Sequence, residues 1–174
     1  TDAAGLVFVD YEPLDPVISI TDATTSPPPA LVNDAWPDNI SAWFHVSHGD
    51  VDAAFDAAAH VVKATANFGR QTGTPIEPRG VLADPSGDVL TVWSANQAPH
   101  WLRNALAVHL ELDRSALRVV APAVGGGFGI KSMVYPEELL IPVVALRLAR
   151  PVKWTESRTE NFLAAVHARD QHHE

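Results

Sequence analysis

The spacing of apolar residues changes along this chain, and each change predicts an element. Residues 5–12, Gly-Leu-Val-Phe-Val-Asp-Tyr-Glu, alternate imperfectly and are rich in β-branched and aromatic side chains. That pattern predicts a strand, closed by Pro13 and Pro16, with residues 17–20 as a second short extended piece. Residues 21–39 carry Pro27-Pro28-Pro29 and a run of Asn, Asp and Pro, which favours extended and turn conformations and predicts a connection. Residues 40–47 again have enough β-formers for a strand. After Gly49, Asp50 is a natural N-cap, and Val51, Ala54, Phe55 and Ala58 fall on one helical face, so a short helix is expected. Residues 60–68 read as a further strand.

The second half is more regular. Residues 79–84 and 88–94 flank a Pro85-Ser86-Gly87 turn and predict a hairpin. Pro99 sits where a first helical turn tolerates it, and Trp101, Leu102, Ala105, Leu106, His109 and Leu110 share one side, predicting a helix to about Leu110. A strand over 116–120 leads into Val124-Gly125-Gly126-Gly127-Phe128-Gly129-Ile130-Lys131. Residues 135–149 are helical in pattern, with acids early and Arg147 late, as the helix dipole favours. Pro142 conflicts with that pattern, because an interior proline removes a ladder bond at a cost of about 3 kcal/mol. A kink there, or a helix that begins there, is expected. Pro151 ends the helix, residues 152–154 form a short strand, and Ser157-Arg-Thr-Glu160 is a capping box opening a last helix to about Val166.

Composition narrows the function classes. The chain has 174 residues and a net charge of −9, and its few Lys and Arg are scattered. Duplex binding draws on clustered cations, so nucleic acid is a poor partner. No apolar run reaches membrane-spanning length, and the chain reads as soluble. It contains no cysteine, which excludes disulfides, thiolate nucleophiles and iron–sulfur ligation within it. It begins with Thr and ends on His-His-Glu, which reads as a piece of a longer protein. His45 and His48 are three apart in an expected strand and so face opposite ways, and no protein-ligated metal site is expected.

Four glycines around Phe128 permit positive φ and a close approach of backbone N–H groups to a ligand. Neither familiar phosphate motif fits. Ile130 stands where the dinucleotide fingerprint needs Gly or Ala, and it also precedes Lys131-Ser132 where a P-loop needs Gly. A ligand cradle and a structural turn both remain open at this point. Gln97, just past the hairpin's second strand, has two readings as well: an amide donor held toward a cavity, or a surface amide capping the helix at Pro99.

Gly125-Gly-Gly-Phe-Gly-Ile-Lys131 resembles the GGGFGxK segment of the xanthine dehydrogenase and aldehyde oxidase family. Ser132-Met-Val-Tyr-Pro-Glu137 is most similar to large subunits of the aerobic carbon monoxide dehydrogenase type. Residues 6–14, Pro75-Ile-Glu-Pro-Arg-Gly80, Val92-Trp-Ser-Ala-Asn-Gln97, Pro151-Val-Lys-Trp154 and Arg158-Thr-Glu-Asn-Phe162 carry the same resemblance, in the family's order, from Asp2 to Gln171. It implies an α+β fold of mixed sheets with packed helices. Residues 1–20 would be the tail of a preceding small α/β, hammerhead-like domain, 21–39 a linker, and 40–174 the first part of a molybdopterin-binding domain.

The same resemblance implies a molybdenum hydroxylase large subunit, a molybdopterin-dependent oxidoreductase acting on a small carbonyl, heterocycle or carbon monoxide-like substrate with water as the oxygen source. The cofactor would be molybdenum–molybdopterin cytosine dinucleotide, its metal held by the pterin's own sulfurs. FAD and 2Fe–2S clusters would sit on a medium and a small partner subunit, in a cytoplasmic dimer of heterotrimers. Gln97 would point at the metal's oxo group. Gly126, Gly127, Phe128 and Gly129 would pass beside the cofactor, with Gly127 and Gly129 offering N–H donors and Phe128 shielding the metal. Family members acting on purines or aldehydes often have Glu where Ser132 stands. The family's general-base glutamate belongs to a later segment, so no catalytic residue is expected here and the fragment alone should be inactive. A non-catalytic binding or assembly module, with the glycine turn as structure, is the alternative. Glu77, Arg79, Arg158, Glu160 and Asn161 read as ion pairs and caps.

Overall fold

A computed structural model of the chain describes residues 2–174. The chain divides into two compact units. One comprises the residues up to Phe68 together with Gln171–Glu174, and the other comprises Gly69–Asp170.

The first unit has little regular structure. It holds two short helices, α1 (Ile20–Ala23) and α2 (Val51–Ala57), capped by the side chains of Ser19 and Asp50. Among the described residues, its ladder joins β1 (Ala66–Phe68) to β6 (Gln171–His173), antiparallel. The strands expected over 5–12 and 40–47 are not formed: Ala4–Leu6 is a single 3-10 turn, and no ladder follows. Of residues 60–68, only the last three pair. Val7, Phe8, Trp43 and Phe44 are all exposed. Side chains suited to a pleated, half-buried surface do not make a strand unless a neighbour takes up the backbone N–H and C=O groups.

The second unit is an α+β layer. Its sheet runs in the order β4 (Leu117–Val120), β3 (Leu90–Ser94), β2 (Gly80–Asp84), β5 (Val152–Thr155). The β2–β3 hairpin and the β2–β5 pair are antiparallel, whereas β3–β4 is parallel because α3 (Pro99–His109) carries the chain back between them. Alternation in β2 and β3 turns Val81, Ala83, Leu90 and Val92 to one face, where they meet Leu102 and Leu106 of α3, Leu117, and Ala145 of α4 (Pro136–Leu148). α5 (Arg158–Ala164) follows β5, opened by the expected Ser157–Glu160 capping box.

The long helix does not begin at Pro142. It starts at Pro136 and runs through Pro142, whose ring is fully buried. Its start is fixed by the Glu138 carboxylate, which accepts the Tyr135 N–H at 3.0 Å, so the proline falls inside a helix already nucleated and packed.

Candidate functional site

The glycine stretch lies between β4 and α4 and closes with a short 3-10 turn at Ile130–Ser132. Its shape depends on unusual dihedrals. Gly126 and Gly129 have φ of +90° and +89°, and Phe128, between them, has φ of +50°. Gly127 stays outside that left-handed region, whereas Phe128 and Gly129 occupy it in succession. A left-handed residue beside one outside that region, as at Gly126–Gly127 and Gly127–Phe128, is the backbone pattern of an anion-binding nest. Among the described residues, the N–H groups of Gly126, Gly127 and Phe128 have no protein acceptor. The neighbouring donors are committed: Gly125 N–H to Glu77 at 2.6 Å, Gly129 N–H to Gln97 Oε1 at 3.2 Å, and Ile130 N–H to the Gly127 carbonyl at 3.0 Å.

Gln97 follows β3 by three residues and is pinned at two points. Its N–H donates to the Lys131 carbonyl at 2.8 Å, and its side-chain carbonyl accepts from Gly129. A backbone N–H can only donate, so the atom facing it is the oxygen and the amide NH2 is left for another acceptor. Gln97 does not cap α3. The N-cap there is Ala98, without a side-chain bond, and Asn96 accepts the Ala98 N–H instead. Gly127 is buried against Gln97 so closely that an added Cβ would lie 2.8 Å from Gln97 Cγ and closer still to its amide atoms.

The structure therefore brings Gln97 and residues 126–129 together, with one change to their expected roles. The Gly129 N–H is not a free donor, because Gln97 itself occupies it. The Phe128 ring lies against Gly126 and remains 73% exposed. Phe128, Gly129, Ile130 and Ser132 form one wall of a cleft of about 580 Å³, faced by residues 71–73 and 166–169. Gln97 does not line it.

Beneath the loop lies a layer of buried charge. Lys131 is 1% exposed and donates to Glu77 at 2.7 Å. Burial alone would raise the Glu77 carboxyl, but hydrogen bonds from Lys131 and the Gly125 N–H outweigh it and hold it below the ordinary value. Arg79, 4% exposed, forks onto Glu156 at 2.5 and 2.9 Å and reaches Glu137 at 3.1 Å, with its guanidinium 3.6 Å from the centre of the Tyr135 ring. Burial disfavours charge on both Arg79 and Glu156, yet their mutual pairing prevails: Arg79 is raised and Glu156 lowered. Asn161 donates to Glu156 at 2.8 Å, and Arg158 holds the carbonyls of Pro75 and Ile76 at 2.8 and 2.7 Å. Glu138 accepts from Ser94 and Asn96 at 2.5 and 2.9 Å.

The expected ion pairs and caps are thus in place, but nothing in the sequence paired Glu77 with Lys131 or Arg79 with Glu137 and Glu156. Among the described residues, no group of His, Asp and Glu is placed to hold a metal, and no helix is long and apolar enough to cross a membrane.

The molybdopterin cofactor-binding domain family matches residues 32–174. The nicotine 6-hydroxylase large subunit of Paenarthrobacter nicotinovorans is 42% identical over 172 residues, covering 98% of this chain and 21% of its own length. The carbon monoxide dehydrogenase large chain of Hydrogenophaga pseudoflava is 33% identical, covering 98% of this chain and 23% of its own. The crystal structure of quinoline 2-oxidoreductase from Pseudomonas putida 86 superposes with a TM-score of 0.82 at 36% identity, over 98% of this chain and 22% of that one. The chain therefore spans between a fifth and a quarter of the length of these relatives.

Proposed function

Because the chain belongs to the molybdopterin cofactor-binding domain family, we propose that it is part of a molybdenum hydroxylase large subunit whose cofactor is held by Gln97 and the loop 126–129. The observation that carries this reading is the row of N–H groups at Gly126, Gly127 and Phe128, free of protein acceptors beside a Gln97 amide whose NH2 is also uncommitted. A molybdopterin presents acceptor oxygens, and this donor set fits them. No side chain fits at Gly127, because the Gln97 side chain fills the space a Cβ would take and sets the amide against the loop.

In this reading Gln97 Nε2 and the N–H groups of Gly127 and Phe128 hold the group. Gly129 works indirectly, by orienting the Gln97 amide. The Phe128 ring covers Gly126 and limits water at the loop. The bound cofactor supplies two-electron oxidation of substrate with oxygen drawn from water, and the chain contributes orientation and an electropositive lining of backbone dipoles. Residues 40–174 then form the first part of the cofactor domain, 21–39 the connection and 1–20 the tail of a preceding domain. The cofactor is the cytosine dinucleotide form, with FAD and 2Fe–2S clusters on medium and small partner subunits in a cytoplasmic dimer of heterotrimers. Among the three substrate classes, an aromatic nitrogen heterocycle is favoured, because the relative at 42% identity is named for nicotine and the structure at TM-score 0.82 for quinoline.

Metal and pterin analysis of the full-length subunit, purified with its partner subunits, tests the reading. Molybdenum and a pterin dinucleotide near one per large subunit, lost in a Gly127→Val, Gly129→Val double variant, are expected. A complete, folded complex containing neither overturns it and leaves a non-catalytic module.

A further inference from the structure

One carboxylate closes the glycine loop. Glu77 Oε2 accepts the Gly125 N–H at 2.6 Å where the loop begins and the Lys131 ammonium at 2.7 Å where it ends. The Glu77 N–H donates back to the Gly125 carbonyl at 3.4 Å. Contact at the first of these points is tight, since a Cβ on Gly125 would lie 2.6 Å from Glu77 Cβ. At the second, the Lys131 side chain is 0% exposed, while Glu77 keeps 40% of its own. The Lys131 carbonyl then accepts the Gln97 N–H at 2.8 Å. A continuous path of hydrogen bonds runs from Glu77 through Lys131 to Gln97, whose side chain returns to the loop at Gly129.

We propose that Glu77 is a positioning residue for the cofactor loop: its carboxylate fixes Gly125 against Lys131 and, through the Lys131 carbonyl, fixes Gln97. The proposal rests on the reading that this loop holds the molybdopterin. An apolar pair in the same place would fill space but set no register. A carboxylate shared between one backbone N–H and one ammonium is directional at both contacts and leaves the interior N–H groups of the loop uncommitted. Glu77 touches neither end of the donor row at Gly126, Gly127 and Phe128, so its effect on a ligand is exerted through loop shape.

The test uses the full-length subunit in its complex. Variants Glu77→Gln, Glu77→Asp, Lys131→Met and the Glu77→Gln, Lys131→Met double are compared with Leu106→Ala, a buried residue of α3 in the sheet core. Two quantities are read: the thermal midpoint, and the rate at which pterin is lost on dilution, followed by the fluorescence of released, oxidised pterin. Glu77→Gln is expected to release pterin about tenfold faster, the lower end of what loss of an orienting partner costs a bound cofactor. Glu77→Asp keeps the charge but draws the carboxylate back by a methylene, and it still speeds release. The double variant, which leaves no unpaired buried charge, releases no faster than either single. Leu106→Ala lowers the midpoint at least as much yet retains pterin at the wild-type rate.

Wild-type retention in Glu77→Gln overturns the proposal, as does release from Leu106→Ala equal to that from Glu77→Gln, or additive effects of the two single substitutions. A folded wild-type complex without pterin overturns both this proposal and the reading of the site beneath it.

Discussion

Gly127 and Gln97 share a contact that admits no side chain at the glycine: a Cβ there would overlap the Gln97 carboxamide. Gly127→Ala must therefore displace Gln97 from the Gly129 N–H or shift the loop. Overpacking of this kind costs about 1–3 kcal/mol. The expected result is a lower thermal midpoint for the full-length subunit and reduced molybdopterin content. A Gln97→Ala, Gly127→Ala double variant should regain the midpoint but not the cofactor, which separates the steric effect of Gly127 from the donor role of Gln97.

Arg79 and Glu156 form the most buried ion pair among the described residues, at 4% and 3% exposure. Glu156→Gln leaves the guanidinium with the half-buried Glu137 as its remaining ion-pair partner among the described residues, so the cost should approach the lower end of the about 3–5 kcal/mol for breaking a buried pair. Scanning calorimetry of the full-length subunit should show the lowered midpoint.

Acid should reproduce part of that loss. Glu77 and Glu156 are both held below the ordinary glutamate value of 4.5, because hydrogen bonds to their charged forms outweigh the opposing effect of burial. A carboxyl depressed in the folded state stabilises fully above its unfolded value, and the stabilisation is lost as pH falls through the depressed one. The thermal midpoint should therefore fall with these two groups as pH drops through about 4.5 and further, and the response should shrink in Glu156→Gln.

Ala149 ends α4 with φ of +49°, a left-handed position where glycine is the usual residue. It is exposed and makes only backbone bonds to Ala145 and Leu146. Ala149→Gly should stabilise by about 1 kcal/mol, measured as a raised thermal midpoint with cofactor content unchanged.

The second unit was legible because its signals are local. The turn at Pro85–Gly87, the alternation through Val81–Ala83 and Leu90–Val92, Pro99 at a helix start and the Ser157–Glu160 box each act within a few residues, and each stands where expected. The first unit was not, because a strand is a relation between segments: residues 5–12 have the side chains of a strand and no ladder partner. The helix over 135–149 was legible, but a start at Pro142 was not the outcome, since α4 begins at Pro136 and carries Pro142 inside it. At the site, the proximity of Gln97 to the glycine loop was expected from resemblance to a family, not from spacing. The clamp made by Glu77, Gly125 and Lys131 joins residues far apart in sequence, and nothing in a run of glycines announces that one of them faces a carboxylate.

The burial of Lys131 also changes its reactivity. This stretch has three lysines, and Lys63 and Lys153 are open to solvent while the Lys131 amine is enclosed and bonded. An acylating reagent reaches that amine only when the loop opens. Modification at Lys131, read by peptide mass, thus becomes a clock for excursions of the loop, and the ratio of its rate to those of Lys63 and Lys153 corrects for reagent and pH.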